Sequence, residues 1–104
     1  MKLIIITTLC DKKEIAEKIQ NTLLEKRLIA GCQISERKSK YWWNNRLEET
    51  IEFHLEMRSK ENLFEKVKQE ILAIHDYDVC EISYYEIKGT NKEFLDWIEN
   101  ETIR

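Results

Sequence analysis

An α+β domain with the element order β-α-β-β-α-β and an extra C-terminal helix is predicted from three observations. A long period-two segment follows a seven-residue aromatic and polar connection at Tyr41–Leu47. Two apolar stripes with four-residue spacing flank that segment, and an unbroken aliphatic run opens the chain. Period two marks strands and a spacing near 3.6 marks helices, so the order of elements can be read along the chain.

The run Leu3, Ile4, Ile5 and Ile6 predicts a first strand buried on both faces. Asp11 offers an N-cap oxygen and Glu14, three residues on, completes a capping-box pattern. Ile15, Ile19 and Leu23 then form the stripe of a helix reaching about Lys26. Leu28 to Trp43 reads as the second strand and Arg46 to Met57 as the third, with Asn44 and Asn45 as a two-residue turn because asparagine tolerates positive φ. Pairing across that turn sets Ile34 opposite Leu55, Cys32 opposite Met57 and Arg37 opposite Glu52. Glu36 against Phe53 and Lys38 against Ile51 match less well, and a bulge or a partner chain is expected at that level. Ser59 is placed to cap a second helix with the stripe Leu63, Val67, Ile71 and Ile74, and Phe64 beside it. Val79 to Lys88 follows as a strand, and Thr90 with Glu93 opens a short helix turning Phe94, Leu95, Trp97 and Ile98 inward. The order is that of a ferredoxin-like split βαβ fold, an antiparallel sheet with helices on one face.

The hairpin is too long for its domain. From Leu47 the odd positions Leu47, Ile51, Phe53, Leu55 and Met57 are apolar, Glu49 being the exception, whereas the even ones are polar. At ~3.3 Å per residue the third strand spans roughly 40 Å, against a radius of gyration of ~13 Å for a compact chain of this size. Its apolar face therefore needs cover, most simply from another copy of the chain.

All 104 residues are expected to form one domain, since 42% hydrophobic residues suffice for one modest core. Acidic and basic residues nearly cancel to a net charge of -3, which disfavours nucleic acid and anionic membranes as partners. Three cysteines without a CxxC pair argue against a disulfide framework, and no signal-peptide pattern is present, so a cytoplasmic location is expected. Two glycines exclude a phosphate-cradling loop, and no Ser-His-Asp order or HExxH occurs.

Reactive groups are densest at His75, Asp76, Tyr77, Asp78, Cys80 and Glu81. Imidazole, carboxylate and thiol together suit Zn²⁺ or Cu²⁺, although the spacing matches no closed metal motif. The simpler reading makes His75 a helix-end residue whose positive form suits the helix dipole. Cys10, just before a helix start, has the setting that lowers a thiol pKa, but with no histidine base in view it reads as a small loop residue. Cys32 reads as packing. Tyr41, Trp42 and Trp43 stand at the ribbon tip, where burial in a subunit contact outweighs base stacking.

Several segments resemble the CutA divalent-cation tolerance family almost end to end. Arg27-Leu28-Ile29-Ala30-Gly31-Cys32-Gln33 is similar to the family's strand start, and Tyr41-Trp42-Trp43-Asn44-Asn45-Arg46-Leu47-Glu48 to its hairpin tip. Arg58-Ser59, His75-Asp76-Tyr77-Asp78-Val79-Cys80-Glu81-Ile82 and Phe94-Leu95-Asp96-Trp97-Ile98 resemble its remaining motifs. The resemblance implies a homotrimer of ferredoxin-like subunits with no established catalysis and a role in tolerance of copper and other divalent cations. It implies an inter-subunit pocket of Tyr41, Trp43, Glu48, Arg58, Tyr77 and Glu81, with His75 as metal ligand, taking Cu²⁺, another divalent cation or a small anion. No cofactor is required on this reading. The fold is shared with trimeric PII signalling proteins, so a protein-interaction scaffold is the alternative. Where the family carries prolines this chain has Cys10, Asp76 and Cys80, and Thr7 stands at the family's first-strand cysteine position. Cys10 and Cys80 are then the thiols left to complete a metal site.

Overall fold

The computed structural model describes residues 1–104. A four-stranded antiparallel sheet has the order β2-β3-β1-β4, with β1 at Leu3–Cys10, β2 at Gly31–Trp43, β3 at Arg46–Lys60 and β4 at Ile82–Glu86. Helices α1 (Lys13–Glu25) and α2 (Phe64–Ile74) cover one face, and α3 (Lys92–Glu101) closes the chain. This is the expected ferredoxin-like arrangement.

Alternation along β1 decides which face is covered. Ile4, Ile6, Thr8 and Cys10 are buried beneath the helices, whereas Ile5, Thr7 and Leu9 point to the open face and are only partly covered. Ile19 and Leu23 of α1 and Val67 and Ile71 of α2 meet them and Leu55 and Met57 of β3 in one apolar cluster.

The hairpin register is as the sequence predicts, with Cys32 opposite Met57, Ile34 opposite Leu55 and Arg37 opposite Glu52. Asn44 and Asn45 have φ of 51° and 61°, so both turn residues lie in the left-handed region that a type I′ turn requires. No bulge interrupts the ladder, which runs from Gly31–Arg58 to Trp43–Arg46 without an offset. Glu36 and Lys38 share the helix side of the ribbon with Phe53, which packs at the margin of the core, and with Ile51, which lies beyond it and is exposed.

Several local expectations need correction. Residues 28–30 precede β2, because Arg27 (φ 57°) ends α1 in a Schellman motif: Leu28 N–H donates to the Leu23 carbonyl and Arg27 N–H to that of Leu24. Ser59 caps nothing, since β3 continues through Lys60 opposite Leu3, and the buried Ser59 hydroxyl donates to the Leu28 carbonyl at 2.6 Å. A 3₁₀ turn at Glu61–Leu63 leads into α2 instead, and neither α1 nor α3 has a side-chain cap, their N-caps being Lys12 and Asn91. β4 is shorter than Val79–Lys88, because β1 pairs with it only from Ile4 to Thr8. In α3 only Ile98 is buried, while Trp97 lies half outside against the backbone of Gly31, where a Cβ would come within 2.9 Å of the indole.

The molecule measures 45 × 26 × 20 Å, its long axis set by the ribbon. Helices cover that ribbon only over its inner half. On the helix side of the outer half Trp42 is 72% exposed, Leu47 53% and Ile51 54%.

Candidate functional site

The opposite, open face of the ribbon forms one wall of a cleft of about 810 Å³. Period two sends Ser39, Tyr41 and Trp43 of β2 and Glu52 of β3 to this face, and Leu9 of β1 forms part of the floor. Residues Asp76–Val79 and Glu81, in the connection from α2 to β4, supply the other wall.

His75 fixes that connection. Its Nε2 lies 2.5 Å from the Leu9 carbonyl oxygen and its Nδ1 accepts the Tyr77 backbone N–H at 3.2 Å. The first contact requires the proton on Nε2, and with it the ring bridges the end of β1 to the start of the connection. Tyr77 packs on it with ring centroids 4.8 Å apart and donates its hydroxyl to Glu52 Oε2 at 2.6 Å. Burial and the adjacent Glu52 carboxylate push the Tyr77 phenol well above its ordinary range, keeping it a donor. On the outside, Lys12 holds Asp76 at 3.0 Å and draws its carboxyl below the usual carboxylate range.

Glu52 is the residue that sequence reading assigned elsewhere. Arg37 is its cross-strand neighbour, but no ion pair joins them, and Arg37 Nε donates to Ser35 Oγ instead. Glu52 is only 5% exposed, and its Oε1 accepts no hydrogen bond from the chain. Asp78 and Glu81 add two further carboxylates at the margin, against one ammonium at Lys40.

Of the residues expected in the pocket, Tyr41, Trp43, Tyr77 and Glu81 line the cleft. Glu48 pairs with Tyr41 on the same face but lies outside the lining. Arg58 stands ten positions along β3 from Glu48, roughly 33 Å away, and donates to Gln33 Oε1 at 3.1 Å. Within one subunit it is not part of the same site. Cys10 is the last residue of β1 rather than a loop residue, and it is fully buried. Desolvation, followed by the carboxylates of Asp76 and Asp11, pushes its thiol up to about 12, opposite to the direction that a helix start would give. Cys32 packs at the core margin, its thiol raised by burial to about 11. His54, beside Leu9 on the open face, has a buried Nδ1 with no partner, and burial lowers its pKa. No group of three or more His, Cys, Asp and Glu side chains converges within the chain to hold a metal ion. No helix is long and apolar enough to cross a membrane.

Comparison with known proteins gives a consistent result. Residues 3–101 match the model of the CutA1 divalent ion tolerance protein family. The divalent-cation tolerance protein CutA of Pyrococcus horikoshii is 36% identical over 100 residues, covering 96% of this chain and 98% of that protein. Its Archaeoglobus fulgidus counterpart is 39% identical over 90 residues, covering 86% and 87%. Among solved structures, CutA1 from Pyrococcus horikoshii superposes with a TM-score of 0.92 at 35% identity, covering 97% of this chain and 99% of that one. CutA1 from Oryza sativa gives 0.94 at 27% identity, covering 99% and 95%. The solved Archaeoglobus protein is described as periplasmic and a rice relative as chloroplastic.

Proposed function

The chain belongs to the CutA1 divalent ion tolerance protein family, and from that premise we propose that it acts as a non-catalytic homotrimer serving divalent-cation tolerance in the cytoplasm. The observation that carries the assembly is the uncovered outer ribbon. Trp42, Leu47 and Ile51 form an apolar strip with no helix over it, and a strand edge and face of that length are protected when a second copy lies against them. Relatives described as divalent-cation tolerance proteins support the role.

A cation site built on His75 needs donors from outside this chain. Both ring nitrogens face backbone groups, and Asp76 is engaged by Lys12. His75 would release the Leu9 carbonyl to bind Cu²⁺ or Zn²⁺ through Nε2, with a thiol or carboxylate of an adjacent subunit completing the shell. Calorimetric titration of the intact assembly with Cu²⁺ and Zn²⁺ tests this, with His75→Ala alongside. Heat in the wild type that is lost in the variant is expected. No heat, or equal heat from both, removes the metal role while leaving the assembly standing.

A further inference from the structure

The cleft beside the ribbon has a chemistry that a metal site does not explain. Its aromatic side chains, Tyr41, Trp43 and Tyr77 with Trp42 at the margin, offer π faces and few ligand atoms. At about 810 Å³ it is far larger than a bare ion needs and falls within the ~300–1,000 Å³ usual for small organic ligands. Glu52 is buried with Oε1 free, and Asp78 and Glu81 reinforce the negative field. Lys40 is the only cationic residue lining it, and its Nζ lies 3.9 Å from Glu49 outside the cleft. Aromatic rings around an unpaired carboxylate attract a positively charged group with a greasy surface, since ring quadrupoles favour cations and the carboxylate supplies the countercharge.

We propose that this cleft binds an organic ammonium ion, with its charge at Glu52 Oε1 and its carbon shell against Tyr41, Trp43 and Tyr77. The Tyr77 hydroxyl holds the second oxygen of Glu52 and so aims the carboxylate. The inference goes beyond the reading above, because one subunit alone supplies every group named and no metal takes part.

Choline is a suitable probe, and its uncharged carbon isostere 3,3-dimethylbutan-1-ol is the control. Tryptophan fluorescence of the intact protein, titrated in the presence of a chelator, should change saturably with choline at a Kd on the order of 1 mM or below. The neutral isostere should produce no saturable change in that range. Glu52→Gln and Tyr41→Leu should each weaken binding about tenfold or more. Glu81→Gln, on an exposed side chain, should weaken it about threefold without risk to folding. Absence of saturable change with choline, equal response to the isostere, or affinity unaltered in all three variants overturns the proposal. Sedimentation of the same samples separates the two readings. A trimer indifferent to choline refutes the ammonium site alone, whereas a monomer that binds choline supports that site and refutes the trimer.

Discussion

Truncating Trp42 on the outer ribbon should dissociate the assembly, and the size of the effect follows from its exposure. A tryptophan side chain offers up to ~250 Å². With 72% of the residue uncovered in the isolated subunit, roughly 180 Å² is available for burial by a neighbour. At ~25 cal/mol per Å² that is about 4.5 kcal/mol. Ordering of the contact offsets part of it, and about 2 kcal/mol per contact is a reasonable remainder. Three equivalent contacts then destabilise a trimer by about 6 kcal/mol, roughly 10⁴-fold in its association constant. Because that constant carries two powers of concentration, the midpoint of dissociation should rise about a hundredfold. Sedimentation equilibrium of wild type and Trp42→Ala across a dilution series reads this directly. Trp42 also borders the cleft, so Leu47→Ser, outside its lining, is the companion variant and should cost about 1 kcal/mol per contact. A wild type that sediments as a lone, folded protomer at micromolar concentration would refute the reasoning. So would a Trp42→Ala trimer that dissociates at the wild-type midpoint.

Two further perturbations test the fold. Ser59→Ala removes the donor to the buried Leu28 carbonyl, and the orphaned acceptor should lower stability by about 1–2 kcal/mol, read as a lower urea midpoint at unchanged slope. Alkaline pH should destabilise the protein through its thiols. Cys10 and Cys32 are raised from the ordinary 9.0 to about 12 and about 11. The fold therefore binds these protons more tightly than the unfolded chain does. Their contribution is complete below pH 9.0 and falls as pH climbs toward 11–12. Urea midpoints measured from pH 8 upward should decline, and should decline less in Cys10→Ala/Cys32→Ala; equal slopes would exclude the thiols as the cause.

The pairing of the hairpin strands was legible because alternation and turn chemistry are local signals. Asn44-Asn45 set the register, and that register placed every pair from Gly31–Arg58 outward without help from the rest of the molecule. Helix beginnings were less legible, because a capping pattern states only that a hydroxyl or carboxylate is available. Ser59 was claimed by the Leu28 carbonyl once β3 ran on beside Leu3. The end of α1 near Lys26 was legible, but Arg27 occupies a left-handed position where glycine is the usual signal, so the turn that delays β2 to Gly31 was visible only in the backbone. Trp97 broke its stripe because Gly31 leaves room for the indole outside the core.

The same parity explains what could be read of the cleft. Trp42 and Trp43 are neighbours in sequence, yet the pleat sends them to opposite faces: Trp42 pairs with Leu47 on the helix side, and Trp43 with Arg46 on the open side. One ribbon thus presents an exposed apolar strip on one face and a wall of the cleft on the other, and slipping the register by one residue would exchange them. Tyr41 and Trp43 could be assigned to a pocket because the hairpin tip resembles the family's motif, whereas their place at a ribbon tip alone pointed to a subunit contact. Glu52 could not, since in the alternating run it is one acid among Glu48, Glu52 and Glu56, all on the same face. What separates it is tertiary: the connection anchored by His75 on Leu9 brings Tyr77 over Glu52, burying one carboxylate while its strand neighbours stay more open. His75, a metal ligand by the family resemblance, acts within this subunit as the pin that makes Glu52 distinctive. Any metal drawn to its Nε2 must release the Leu9 carbonyl, so cation binding at His75 and the shape of the cleft are physically coupled.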